Sequence, residues 1–177
     1  MTIRRKHISG VVNRLLNQHG IQAAPVPVED IARSLGARVE RTPADDELSG
    51  FLYQQKNSKL TIIGVNENHH PNRQAFTIAH ELGHSLLHDV DDVHVDRNFR
   101  IKLRNSASSK GENVEEMEAN LFAAELLMPT SFLKKDLKTI EDVDLVDEGV
   151  ISKLAGRYGV STQAMTIRLS HLGYVRL

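Results

Sequence analysis

Residues 76–88 read FTIAHELGHSLLH, and no other stretch restricts the fold as much. At about 100° per residue, Ala75, Ile78, Ala79, Leu82, Gly83 and Leu86 make one broad apolar arc. Thr77, His80, Glu81, His84 and His88 fill the opposite side. The period is that of an amphipathic helix. Its apolar arc must pack on a core, while its other side lines something polar and concentrates imidazole.

His80 and His84 are four residues apart, so on a helix they project the same way, one turn above the other. His-Glu-x-x-His at this spacing is a zinc-hydrolase pattern. Two imidazoles one turn apart can share a tetrahedral ion at about 2.0–2.1 Å. Glu81, next to the first imidazole, is angled toward a water on that ion and suits a general base. His88 lies two turns beyond His80 and is read as a supporting or surface residue. The chain has no cysteine, so any metal must be held by His, Asp or Glu.

A catalytic zinc takes three protein ligands and keeps one position open. The segment ENVEEMEANLFAAELLMP (112–129) reads as a second helix and offers several glutamates. Glu115, Glu118 and Glu125 share about a quarter of the wheel and are expected to form a solvent stripe. Glu116 falls between Ala119, Ala123 and Leu127, a face suited to close approach of another helix. A carboxylate there needs a cationic partner. That partner is either a metal shared with His80 and His84 or an arginine such as Arg97 or Arg100. Glu118 and His94 stand as alternative third ligands, and Asn120 is placed to hydrogen-bond a ligating imidazole. His69 and His70 sit in a polar turn before Pro71 and are expected to face solvent.

Around these two helices the pattern is mixed. Residues 3–19 read as a helix ended by Gly20, and Pro27 precedes a short helix closing at Gly36. ARVER (37–41), SGFLYQQ (49–55) and KLTIIGVN (59–66) read as strands, with a turn at KNS. Residues 89–111 are polar and read as an irregular loop, a candidate cover for the cleft. The order of helices, small sheet and helices predicts an α+β fold. The expected division is a metallopeptidase-like unit, 1–130, and a helical region, 131–177, packed on it.

The 177 residues are 40% hydrophobic and 25% charged, enough for one folded core. A formal charge of −1 gives no bulk attraction to nucleic acid or to an acidic membrane. No apolar run is long enough to span a bilayer, and none follows the basic MTIRRKHISG as in a secretory signal. A cytoplasmic location is therefore expected. Near the C-terminus, Leu154, Ala155, the Gly159–Ser161 turn and Met165, Ile167 and Leu169 read as a helix-turn-helix, with Ser161 as N-cap. Its exposed face would carry Thr162, Gln163, Thr166, Arg168 and His171. The acidic EDVDLVDEG just upstream disfavours phosphate binding, so a packing or docking role is preferred to DNA contact.

FTIAHELGHSLLH followed by EMEANLFAAELLMP resembles the ImmA/IrrE family of metallopeptidases. The pairing of a His-Glu-x-x-His helix with a downstream Glu-x-x-Ala-Asn helix also resembles thermolysin-like zincins. The resemblance covers about residues 28–130. It implies a zincin-like fold, with His80, His84 and Glu116 as zinc ligands, Glu81 as general base and Asn120 in support. It also implies a cytoplasmic endopeptidase that cleaves a helix-turn-helix repressor and so derepresses genes. Zinc suits such a His2Glu set, and Mn2+ or Fe2+ can replace it where more available. The alternative is a non-proteolytic regulatory or toxin–antitoxin-type interaction protein that keeps a structural metal site. Tyr53, His88 and His94 are candidate donors to a tetrahedral oxyanion. SGFLYQQ is read either as an ordinary sheet strand or as an edge along which a peptide substrate pairs.

Overall fold

The computed structural model describes residues 2–55, 60–89, 93–97, 110–138 and 148–176. Helix α1 (Arg5–Gln18) buries Ile8, Val12, Leu15 and Leu16. The chain turns at Gly20 with φ 64°, a conformation that suits glycine. Helix α2 (Val28–Ser34) buries Val28, Ile31 and Ala32.

Strands β1 (Ala37–Thr42), β2 (Leu48–Gln55), β3 (Leu60–Asn66) and β4 (Val93–Arg97) form one sheet in the order β1-β3-β2-β4. β1 runs parallel to β3, while β2 is antiparallel to both β3 and β4. The mixed sheet and its helices make the α+β architecture expected from the pattern. β4 corrects the reading of 89–111 as irregular loop: Val-His-Val alternates, but over too few residues to stand out from polar surroundings. The KNS turn and, within that loop, residues 90–92 and 98–109 lie outside the described residues. SGFLYQQ is not an edge, because β2 is paired on both sides.

The sheet has two unlike faces. Leu52 stands opposite Ile63 on one side and His94 on the other, so these three side chains share a face. Leu52 and Ile63 are fully buried there. Phe51, Tyr53, Val93 and Val95 take the opposite face by alternation, where both valines are exposed. Phe51 is paired with Gly64, and its ring fills the space a β-carbon on Gly64 would need.

Helix α3 (Pro71–Leu87) packs on the inner face of β2 and β3 and is crossed by α4 (Lys110–Leu127). The crossing is close because α3 has no side chain at Gly83. A β-carbon there would lie 3.0 Å from the Phe122 ring and 3.3 Å from the Ala119 Cα. α1 packs on another side of α4, and the expected solvent stripe breaks down on that side. Glu115 is exposed as expected, but Glu118 is 2% exposed and Glu125 accepts a hydrogen bond from Ser9 of α1.

Helices α5 (Thr130–Lys138), α6 (Glu148–Tyr158) and α7 (Thr162–His171) complete the chain. Ser161 caps α7, its hydroxyl accepting from the Ala164 amide as its sequence position suggests. Arg168 departs from its expected place on an exposed readout face. It is 3% exposed and donates to the Met128 carbonyl and the Thr130 hydroxyl. Ile167 is outside instead. Tyr158 donates to Asp136, and Asn72 at the start of α3 donates to the Val160 carbonyl. The Tyr158 bond joins α6 to α5, while the Asn72 and Arg168 bonds tie the C-terminal helices to the rest of the chain. Among the described residues no helix is long and apolar enough to cross a membrane.

Removing the Arg168 side chain strands the buried Met128 carbonyl. Arg168→Ala should lower the unfolding free energy by about 2–3 kcal/mol, read from urea denaturation. An unchanged midpoint would mean that the guanidinium points to solvent.

Candidate metal centre

The local sequence sets the frame of α3. Pro71 occupies its first turn, and the His70 side chain caps it by accepting from the Asn72 amide. From there the polar side of the helix runs inward. Thr77, His80, Glu81 and His84 are all buried beneath the sheet and α4.

His80 Nε2 and His84 Nε2 lie 3.1 Å apart. Glu116 on α4 brings Oε1 to 3.3 Å from His84 Nε2 and Oε2 to 3.9 Å from His80 Nε2. One donor atom from each of the three falls within 4.8 Å of the others. An ion with tetrahedral bonds of about 2.0–2.1 Å separates its donors by about 3.3 Å, so the trio is spaced to hold one. The donor chemistry agrees with this. Burial pushes the His84 imidazole below its usual range, against the opposing pull of Glu116, and so favours the neutral ring that can ligate a cation.

Glu81 is fully buried, with Oε2 3.3 Å from His94 Nδ1. His94 reaches this side from β4, on the inner face of the sheet, and its Nε2 lies 2.9 Å from Glu116 Oε1. Burial lowers the His94 pKa, but the bonds to Glu116 and Glu81 outweigh it and raise the imidazole to about 9. The ring thus stands between the two carboxylates, beside the trio. Tyr53 cannot take the donor role, because alternation along β2 sends it to the opposite face of the sheet.

Other residues sit where their local sequence does not place them. Asn120 donates to the carbonyl of Glu116, one turn back in its own helix, and not to an imidazole. His69 is buried, with Nε2 3.2 Å from the Asp46 carbonyl, whereas His70 is exposed as expected. His88 is 3% exposed in its side chain and touches both His84 and Glu118. Glu118 is gripped by Arg4. The Arg4 hydrogen bonds pull its carboxyl down to about 2, against the opposing effect of burial. Arg4 and Glu118 are 114 positions apart, and nothing in either local sequence announces the pair.

The peptidase M78 family model, described as an IrrE N-terminal-like domain, matches residues 32–170. The chain is 28% identical over 127 residues to Metallopeptidase ImmA of Bacillus subtilis (strain 168), covering 72% of this chain and 66% of that one. It is 34% identical over 112 residues to immunity region protein 2 of Bacillus phage phi105, covering 62% and 64%. The chain therefore spans just under two thirds of the length of these relatives. A Mycobacterium tuberculosis transcriptional regulator matches 93% of this chain with 46% of its own, at a TM-score of 0.60 and 18% identity. That likeness is one of fold.

The approach of α4 to α3 is what carries Glu116 to the histidines. Gly83→Leu should force the helices apart, lowering stability by about 1–3 kcal/mol. It should also weaken binding of a divalent metal ion about tenfold or more, as measured by chelator competition with added zinc as the probe. Unaltered zinc affinity in a folded Gly83→Leu protein would contradict this dependence.

Proposed function

The chain belongs to the IrrE N-terminal-like peptidase M78 family, the ImmA/IrrE metallopeptidases, and on that premise we propose that it is a zinc-dependent endopeptidase acting on a partner protein. The observation that carries the reading is the convergence of His80, His84 and Glu116 beside the buried Glu81. Residues 1–130 form the metallopeptidase unit in this reading, with 131–177 as a helical region packed on it. The partner is a helix-turn-helix repressor whose cleavage derepresses genes. The phage relative named for an immunity region supports a regulatory target of this kind.

His80, His84 and Glu116 hold the ion. A divalent cation there supplies Lewis acidity, making a water more acidic and a carbonyl more electrophilic. Glu81 is the base. Its carboxylate takes a proton from the attacking water and returns it to the leaving amine. Burial sharpens this role, since a carboxylate shielded from bulk water interacts strongly with whatever proton donor enters. His94 places a ring nitrogen 3.3 Å from Glu81 on the reaction side, and so can orient that carboxylate or, as a donor, meet a developing negative charge. β4 is paired with β2 alone among the described strands, which leaves its other edge for an extended peptide. Mn2+ or Fe2+ can replace zinc in such a donor set.

The competing reading, an interaction protein with a structural metal, gives Glu81 no chemical task. Glu81→Gln separates the two. The expected result is unchanged metal content with loss of cleavage by a factor of about 10²–10⁴, assayed against a candidate helix-turn-helix repressor. Retention of the regulatory function by the variant would favour the interaction protein.

A further inference from the structure

His84 faces Glu116 and His80 with one ring nitrogen only. Its other nitrogen, Nδ1, lies 3.1 Å from Nδ1 of His88. His88 turns its Nε2 toward Oε2 of Glu118, at 3.2 Å. Arg4 holds both oxygens of the Glu118 carboxylate. The backbone amide donates at 2.7 Å, Nε at 3.0 and 3.1 Å, and Nη2 at 2.5 Å. Arg4 Nη2 also donates to the carbonyl of Leu87, the last residue of α3. The side chains of His88 and Glu118 are 3% and 2% exposed, so bulk water does not supply alternative partners.

With the His88 ring uncharged, proton placement along this row follows step by step. Arg4 offers only donors, so Glu118 is ionised and only accepts. A bond from His88 Nε2 to Glu118 therefore requires the proton on Nε2. A neutral His88 then presents a lone pair at Nδ1. His84 must donate to it from its own Nδ1, which leaves His84 Nε2 with a lone pair aimed at Glu116 and His80. That is the tautomer in which His84 can ligate a cation through Nε2, the nitrogen that faces His80 and Glu116.

We propose that Arg4, Glu118 and His88 form a positioning relay that holds His84 in its ligating tautomer, so that docking of the N-terminal segment sets the affinity of the metal centre. The relay rests on the reading of His80, His84 and Glu116 as metal ligands. It goes beyond that reading by joining the ion to an element outside residues 32–170, the part matched by the family model. Arg4 is 47% exposed, so a partner that competes for it can loosen the relay without entering the cleft.

The test uses the full chain and zinc, with affinity measured by competition against a chromophoric chelator. His88→Leu removes both the acceptor for His84 and the donor to Glu118, and should weaken zinc binding about 10- to 100-fold. His88→Gln keeps one acceptor and one donor and should recover most of that loss. Arg4→Met should weaken binding in the same direction by less. Metal-free thermal midpoints, recorded alongside, separate lost positioning from lost folding. Long-range 1H–15N spectra of the zinc-loaded chain should show His88 neutral with its proton on Nε2. His88→Leu binding zinc as tightly as the parent, His88→Gln binding as weakly as His88→Leu, or a His88 proton on Nδ1 would each overturn the relay. A parent chain that binds no zinc would instead overturn the metal reading beneath it.

Discussion

Two helices approach each other closely at Gly83, and the geometry of the whole site depends on that approach. With no side chain at Gly83, α4 lies against α3 and Glu116 comes to 3.3 Å from His84 Nε2. Two imidazole nitrogens at 3.1 Å and a carboxylate beside them, largely shut off from water, are poorly disposed toward one another as neutral acceptors and an anion. A small divalent cation turns the arrangement from a desolvation cost into mutual attraction. The sheet takes part as well: its inner face covers α3, and β4 adds His94 between Glu81 and Glu116.

The legible part of the molecule is the part governed by local period. The wheel of residues 75–88 separates an apolar arc, buried at Ile78, Ala79 and Leu82 but exposed at Leu86, from the polar side that carries His80, Glu81 and His84. The wheel of the second helix distinguishes Glu116 from its neighbours, because Ala119 and Ala123 mark a face that another helix can approach. The three strands before α3 are readable as short runs with aliphatic, aromatic or β-branched residues, set between polar and glycine-bearing turns.

What escapes the sequence is non-local. The same wheel sends Glu118 to solvent because it assumes one packing partner for α4, and α1 is a second. Arg168 looks exposed from its helix alone, yet its partners Met128 and Thr130 sit about forty positions earlier. β4 is hard to see because a strand of five residues gains its stability from pairing with β2 rather than from its own composition. The role of Tyr53 turns on which face of β2 it takes, a matter of register that the strand pattern leaves open. Arg4 gives no local sign of the buried carboxylate that it meets.

One ion held by ligands from two helices is the central claim, and X-ray absorption at the zinc edge of the loaded protein addresses it most directly. The spectrum should show one zinc per chain in a nitrogen and oxygen shell at about 2.0–2.1 Å, with scattering from two imidazoles. Glu116→Ala should then remove one oxygen donor and leave the imidazole signal intact. A chain that takes up no zinc, or a shell whose imidazole count differs from two, would contradict the site described.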